Sequence, residues 1–197
     1  IEEDIVKPIY KIPELKKCEN ADDAMQHIIF PYIKYNGVYK LIEETEMESK
    51  YPNAYKYLRS VREDLDKRDK GKKNAYGWYA YGRTQGLNKY GKKMLFPTFA
   101  KKPKFRYIEN EDALFCNGYA IFENDKISLD VLGKILNSDI MNYYISNTSY
   151  AIEGGYYCYQ KKYIEEFSIP EFNENELTIL RSNDNIEINK MLFNKYD

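Results

Sequence analysis

Four short strand-like runs follow one another closely in the middle of the chain, at residues 94–99, 104–108, 113–116 and 119–122, with turn-forming residues between them. Runs of four to six residues, rich in aromatics and bounded by turn signals, predict successive short strands. The middle of the chain therefore reads as sheet. Two further runs, 28–33 and 38–42, flank Lys34-Tyr35-Asn36-Gly37, and an Asn-Gly pair between strand-like segments is a strong hairpin signal. The stretch from Val6 to Ile12 is also extended, and Pro8 confines it to an edge or to a strand start.

Helical spacing appears twice. Tyr55, Leu58, Val61, Arg62 and Leu65 recur at three and four residues, Pro52 suits a first turn and Gly71 ends the run, which predicts a helix from about Pro52 to Arg68. Leu129, Leu132, Ile135, Leu136, Ile140, Tyr143 and Tyr144 predict a second from about Leu129 to Ser146, with Ser128 as N-cap. A short helix is expected near Lys161 to Glu166, and another over Ile186 to Phe193. Residues 77–81 read as a short strand within a loop rich in Gly, Asn, Tyr and Lys. The expected class is α+β, with a mixed, mostly antiparallel sheet of short strands and two long helices. One domain over residues 1–172 is expected, followed by an acidic extension, 173–197, packing on it or trailing from it.

The net charge of −1 conceals a strong sorting along the chain. Between Lys50 and Arg106 there are 17 Lys and Arg against 4 Asp and Glu, whereas the rest of the chain holds 13 against 27. A block this basic makes a local positive field that attracts a polyanion. Tyrosines, 21 in all, are interleaved with the charges, as on nucleic-acid surfaces. A solvated helix face with lysine-rich loops would give the same count.

Other classes recede. No apolar run approaches the roughly 20 residues needed to cross a bilayer, so no membrane partner is expected. The opening Ile1-Glu2-Glu3-Asp4-Ile5 is acidic and lacks the features of a secretion signal, and the missing initiator Met points to excision from a longer polypeptide. Cys18, Cys116 and Cys158 are odd in number and far apart, which fits a reducing, cytoplasmic setting, and with one histidine, His27, no zinc-ligand pairing exists. Nucleophile-elbow, zincin, Walker and dinucleotide-binding patterns are absent, so no catalytic residue and no metal site are expected. Glu14 with Lys16 mimics the E-x-K of nucleases, a pairing common by chance.

Within the basic block, Trp78-Tyr79-Ala80-Tyr81-Gly82-Arg83-Thr84-Gln85 combines the only tryptophan with an arginine and a glutamine two apart. These two side-chain types make bidentate contacts to guanine and adenine edges, and in an extended segment they point the same way. Arg83 and Gln85 are therefore candidate base contacts, with Tyr81 and Asn117 beside them. The alternative is that the aromatics are core and Arg83 forms a structural ion pair. Lys72, Lys73, Lys93, Lys101, Lys102, Lys104, Arg106 and Lys161 are candidate phosphate contacts, which fix register without reading sequence.

An ordered set of short motifs is informative as a set. Ile29-Phe30-Pro31-Tyr32, Tyr51-Pro52 followed by Tyr57-Leu58, the Trp78 to Gln85 segment, Phe96-Pro97, Asn117-Gly118-Tyr119, Ile135-Leu136-Asn137-Ser138, Gly154-Gly155-Tyr156 and Ile169-Pro170 occur in this order. Over roughly Ile28 to Pro170 the chain resembles the TaqI-like C-terminal specificity domain, the target recognition region of adenine-specific DNA methyltransferases and of combined type II restriction-modification enzymes. The resemblance implies a domain that grips duplex DNA opposite an N-terminal methyltransferase domain of the same polypeptide and selects the adenine to be flipped out. S-adenosylmethionine belongs to that other domain, whose N-P-P-[YF] signature is absent here, so no cofactor is expected in this chain. The competing expectation is a protein-interaction or regulatory module of a phage-defence system.

Overall fold

The computed structural model describes residues 1–15, 17–84 and 86–197. Among them the chain runs β1 (Val6–Lys11), α1 (Ile12–Leu15), β2 (Met25–Ile29), β3 (Tyr32–Tyr35), β4 (Val38–Leu41), α2 (Glu44–Lys50), α3 (Pro52–Ser60), α4 (Arg62–Asp66) and α5 (Arg68–Gly71). It continues through β5 (Lys93–Phe96), β6 (Phe99–Ala100), β7 (Arg106–Ile108), β8 (Leu114–Cys116), β9 (Tyr119–Phe122), α6 (Leu129–Leu136) and α7 (Asp139–Thr148). β10 (Ala151–Ile152), β11 (Tyr156–Cys158), α8 (Lys161–Glu165), α9 (Glu174–Arg181) and α10 (Asn185–Tyr196) complete it. The class is α+β, with small, mostly antiparallel sheets of short strands. The residues sort into two compact units. One comprises Ile1–Ile9, Gln26–Tyr90 and Asp112–Leu114, the other Tyr10–Met25, Gly91–Glu111 and Phe115–Asp197.

In the first unit, β3 and β4 form the antiparallel hairpin, with Tyr32 opposite Leu41 and Tyr35 opposite Val38. Asn36 and Gly37 both have positive φ, 49° and 80°, as a two-residue turn with the twist of the flanking strands requires. The core gathers Ile5, Ile42, Met47, Tyr51, Ala54, Tyr55, Leu58 and Tyr79. Pro52 opens α3, and the Glu2 carboxylate accepts from the amides of Asn53 (2.9 Å) and Ala54 (3.0 Å), closing the free N–H groups of the first turn. The long helix expected over 52–68 is divided. Val61 leaves helical geometry at φ −109° and ψ 12°, and Asp69 and Lys70 inside α5 are left-handed. Neither α4 nor α5 buries a residue fully, and past α3 half-buried Leu65 alone packs on the core from these two helices, too little to hold the helix straight.

The second unit holds two three-stranded sheets, β7–β5–β9 and β10–β11–β6. All four residues of β5 are buried, because strands flank it on both sides: Leu95 faces Arg106 on β7 and Ala120 on β9. Helix α6 buries Leu129, Val131, Leu132, Ile135 and Leu136, each of which contributes about 1.5–3 kcal/mol by leaving water. The expected helix over 129–146 is broken at Asn137. Its side chain accepts from the Phe105 amide (2.8 Å) and donates to the Phe105 carbonyl (2.9 Å), as a neighbouring strand would. α7 restarts two residues later.

The acidic tail contributes to this core. Asn173 and Glu176 form a reciprocal capping box that starts α9, an element with no counterpart in the sequence expectation. α9 packs on α6, α10 packs on α7, and Leu180, Ile188 and Leu192 are buried.

Candidate nucleic-acid interface

The segment from Trp78 to Tyr81, expected as a strand, is a series of turns fixed by side chains. The indole N–H of Trp78 donates to Glu44 Oε1 at 3.0 Å, where the Tyr55 hydroxyl also donates at 2.9 Å. The Tyr79 hydroxyl donates to the Ile42 carbonyl, the Tyr81 hydroxyl to the Ile29 carbonyl, and the Tyr81 amide to the Tyr32 hydroxyl. Arg68 completes the anchorage from the other side: Nη2 donates to Trp78 O (2.7 Å), Nη1 to Ala80 O (3.1 Å) and Nε to Leu65 O (2.8 Å). The two donors hold the Glu44 carboxyl below the ordinary carboxylate range, the indole first, with Arg62 and Arg59 adding their charge. Burial pushes the Tyr79 phenol up to about 12 and raises that of Tyr81 as well.

Beyond this anchored stretch the chain opens to solvent. Arg83 and Thr84 are exposed, and among the described residues Arg83 has neither ion pair nor hydrogen bond. Gln85, the expected partner of Arg83, lies outside the described residues, as does Lys16 of the E-x-K pair. Tyr81 is half-buried with its hydroxyl committed to Ile29, so its part is to root the loop. Asn117 is exposed, at φ 61°, in the turn between β8 and β9. The adjacent Gly118 lies so close to Phe96 that an added Cβ would sit 2.7 Å from its carbonyl oxygen.

The candidate phosphate contacts divide by environment. In the first unit Lys72 and Lys73 are exposed at a cleft of about 450 Å³ that is also lined by Arg62, Asn74 and Trp78. The Arg62 guanidinium lies 4.8 Å from the centre of the Trp78 ring, while its Nε sits 3.6 Å from the Asp66 carboxylate. In the second unit Lys101 and Lys102 are exposed just beyond β6. The Lys101 ammonium stands 5.3 Å over the Tyr156 ring, beside the Gly154-Gly155 turn where both glycines have positive φ. Lys161 is exposed but pairs with Glu165 at 3.0 Å. Lys104 is half-buried.

Two of the basic candidates face inward. Lys93 is only 1% exposed, and its ammonium donates to the carbonyls of Asn110 (3.1 Å) and Glu111 (3.0 Å). Its place on the central strand β5, covered from both sides, accounts for this. Arg106 is half-buried, with Nη2 donating to the Cys18 carbonyl at 2.9 Å and Nε enclosed without a partner. Both side chains brace the backbone. Arg62 and Arg68, by contrast, carry no site role on sequence grounds, where helix charges beside Glu63, Asp64 and Asp66 resemble intrahelical pairs. Among the described residues no cluster of His, Cys, Asp and Glu could hold a metal ion, and no helix is long and apolar enough to cross a membrane.

Comparison with known proteins identifies the family. The TaqI-like C-terminal specificity domain matches residues 31–169, and the chain belongs to that family. It is 27% identical over 169 residues to the type II methyltransferase M.MjaIV of Methanocaldococcus jannaschii, covering 81% of this chain and 55% of that protein. It is 32% identical over 126 residues to the type II methyltransferase M.BanIII of Aneurinibacillus aneurinilyticus, covering 64% of this chain and 20% of that protein. The chain thus spans about half of one relative and a fifth of the other.

Proposed function

We propose that the chain is the DNA-reading part of a type II, adenine-specific DNA methyltransferase: it binds duplex DNA and selects the site, while an N-terminal domain of the same polypeptide transfers the methyl group from S-adenosylmethionine. The same role holds whether or not the parent also carries an endonuclease. Exposed Lys72, Lys73, Lys101 and Lys102 contact phosphates, and the Arg83 loop contacts base edges. The observation that carries this reading is the anchorage of the Trp78–Tyr81 stretch. Four aromatic and arginine side chains tie its backbone to three different elements, and Arg83 leaves it exposed and unpaired among the described residues. The anchored stretch fixes the backbone two residues before Arg83, which lowers the backbone ordering entropy opposing a directed contact, while the free guanidinium still gives up its rotamer entropy on binding.

The test is selection of duplexes from a random pool at low salt, followed by anisotropy titrations. The wild-type chain enriches a defined site, and binding weakens with salt at a log–log slope of about −4 to −6 for five or six phosphates. Arg83→Ala relaxes the enriched site, and Lys101→Ala weakens all duplexes alike. A flat salt response refutes DNA binding, and an unchanged enriched site with Arg83→Ala refutes the role of the loop.

A further inference from the structure

The β3–β4 hairpin is a two-stranded sheet of its own, and it is exposed on both faces from Ile33 to Val38. Register sorts its side chains. Tyr32, Lys34, Tyr39 and Leu41 share one face, which packs inward at its base, where Tyr32 is buried and Tyr39 and Leu41 are half-buried. Ile33, Tyr35, Val38 and Lys40 share the other, and all four are exposed, with Tyr35 at 57% and Val38 at 56%. The ten residues from Tyr32 to Leu41 include two lysines and no carboxylate. The lysines stand on opposite faces, and each lies over a ring: Lys40 is 4.7 Å from the centre of Tyr35, Lys34 5.8 Å from that of Tyr39. Neither forms an ion pair among the described residues.

A protruding ribbon with a cation on each face has a shape and charge that a flat partner surface would satisfy on one side only. The major groove of duplex DNA admits a two-stranded ribbon and presents phosphates along both walls. We propose that the β3–β4 hairpin enters the major groove, with Lys34 and Lys40 contacting phosphates of opposite strands and the Tyr35–Gly37 tip, flanked by Val38, meeting base edges. Asn36 at the tip has the amide that pairs with adenine, and the Tyr35–Val38 pair supplies apolar surface for thymine methyl groups. The inference rests on the DNA-binding reading above and adds a second contact region to it.

The experiment compares the wild-type chain with Lys34→Gln/Lys40→Gln and with Ile33→Ser/Val38→Ser, using a pooled random 30-base-pair duplex with methyl green or netropsin as groove competitor. All four positions are exposed, so circular dichroism and thermal unfolding should match the wild type. The lysine variant is expected to bind roughly tenfold more weakly at low salt, with a slope smaller in magnitude by about two. Methyl green, which occupies the major groove, should displace the wild type where netropsin does not. An unchanged slope and affinity in the lysine variant, with the wild type binding steeply, overturns the hairpin assignment and leaves the DNA reading standing. A change in sedimentation of the serine variant with DNA binding untouched overturns it in favour of a protein contact. Absence of duplex binding by the wild type sinks the DNA reading, and this inference with it.

Discussion

Arg68 and Arg83 stand fifteen residues apart with the same charge and opposite environments. Arg68 donates through all three guanidinium nitrogens to the carbonyls of Leu65, Trp78 and Ala80, and its planar fork reaches three acceptors that a single ammonium cannot. Arg68→Ala is expected to cost about 2–4 kcal/mol in urea unfolding, and Arg68→Lys to recover less than half of that. Arg83→Ala should leave stability within about 0.5 kcal/mol. Equal destabilisation by the two alanine variants would show that Arg83 braces the fold instead of facing outward. The sequence separated the two only by context, Arg68 in a charged helical run and Arg83 in an uncharged Tyr-, Gly- and Gln-containing segment; the bracing role of Arg68 comes from carbonyls that only the folded loop presents to it.

At the scale of the elements, what is encoded locally was legible. The Asn36-Gly37 turn fixes its hairpin, and the four runs between Met94 and Phe122 each contain a strand. The breaks within the two expected helices were not, for different reasons. The first gives way where burial ends, at α4 and α5. The second gives way because Asn137 exchanges a helical continuation for a paired contact with the Phe105 backbone, 32 residues away, which no local spacing encodes. The Trp78–Tyr81 stretch imitates a strand because it is a short aromatic-rich run between two glycines, yet each aromatic answers to a distant acceptor. Asn137→Ala, which removes both halves of the Phe105 pairing and the bond to the Gly133 carbonyl, should destabilise by about 1–3 kcal/mol. Asn137→Asp should do at least as much harm, since a carboxylate would face the carbonyls of Phe105 and Gly133. A neutral alanine variant in thermal unfolding would show that the break belongs to α7's own start instead.

Across the whole molecule, the sorting of charge into residues 50–106 was visible in the sequence, but which cations remain available was not. Lys92 and Lys93 look identical on paper, as one lysine pair at the start of a strand. In the fold Lys92 comes within 4.0 Å of Glu109, while Lys93 is enclosed at the head of the central strand and holds two carbonyls. The set of cations open to a polyanion is therefore smaller than the composition suggests, and within the second unit the proposed contact rests on exposed Lys101 and Lys102. This separates two kinds of lysine by experiment. Lys93→Met keeps the apolar stem and removes the donor from the carbonyls of Asn110 and Glu111, so it should cost about 1–3 kcal/mol of stability while leaving the salt slope of duplex binding unchanged. Lys101→Gln/Lys102→Gln should do the reverse, shrinking the slope by about two while stability stays within about 0.5 kcal/mol. A slope that falls with Lys93→Met in a folded protein would mean that its ammonium leaves the carbonyls when DNA binds, and that the enclosed strand head opens toward the phosphates.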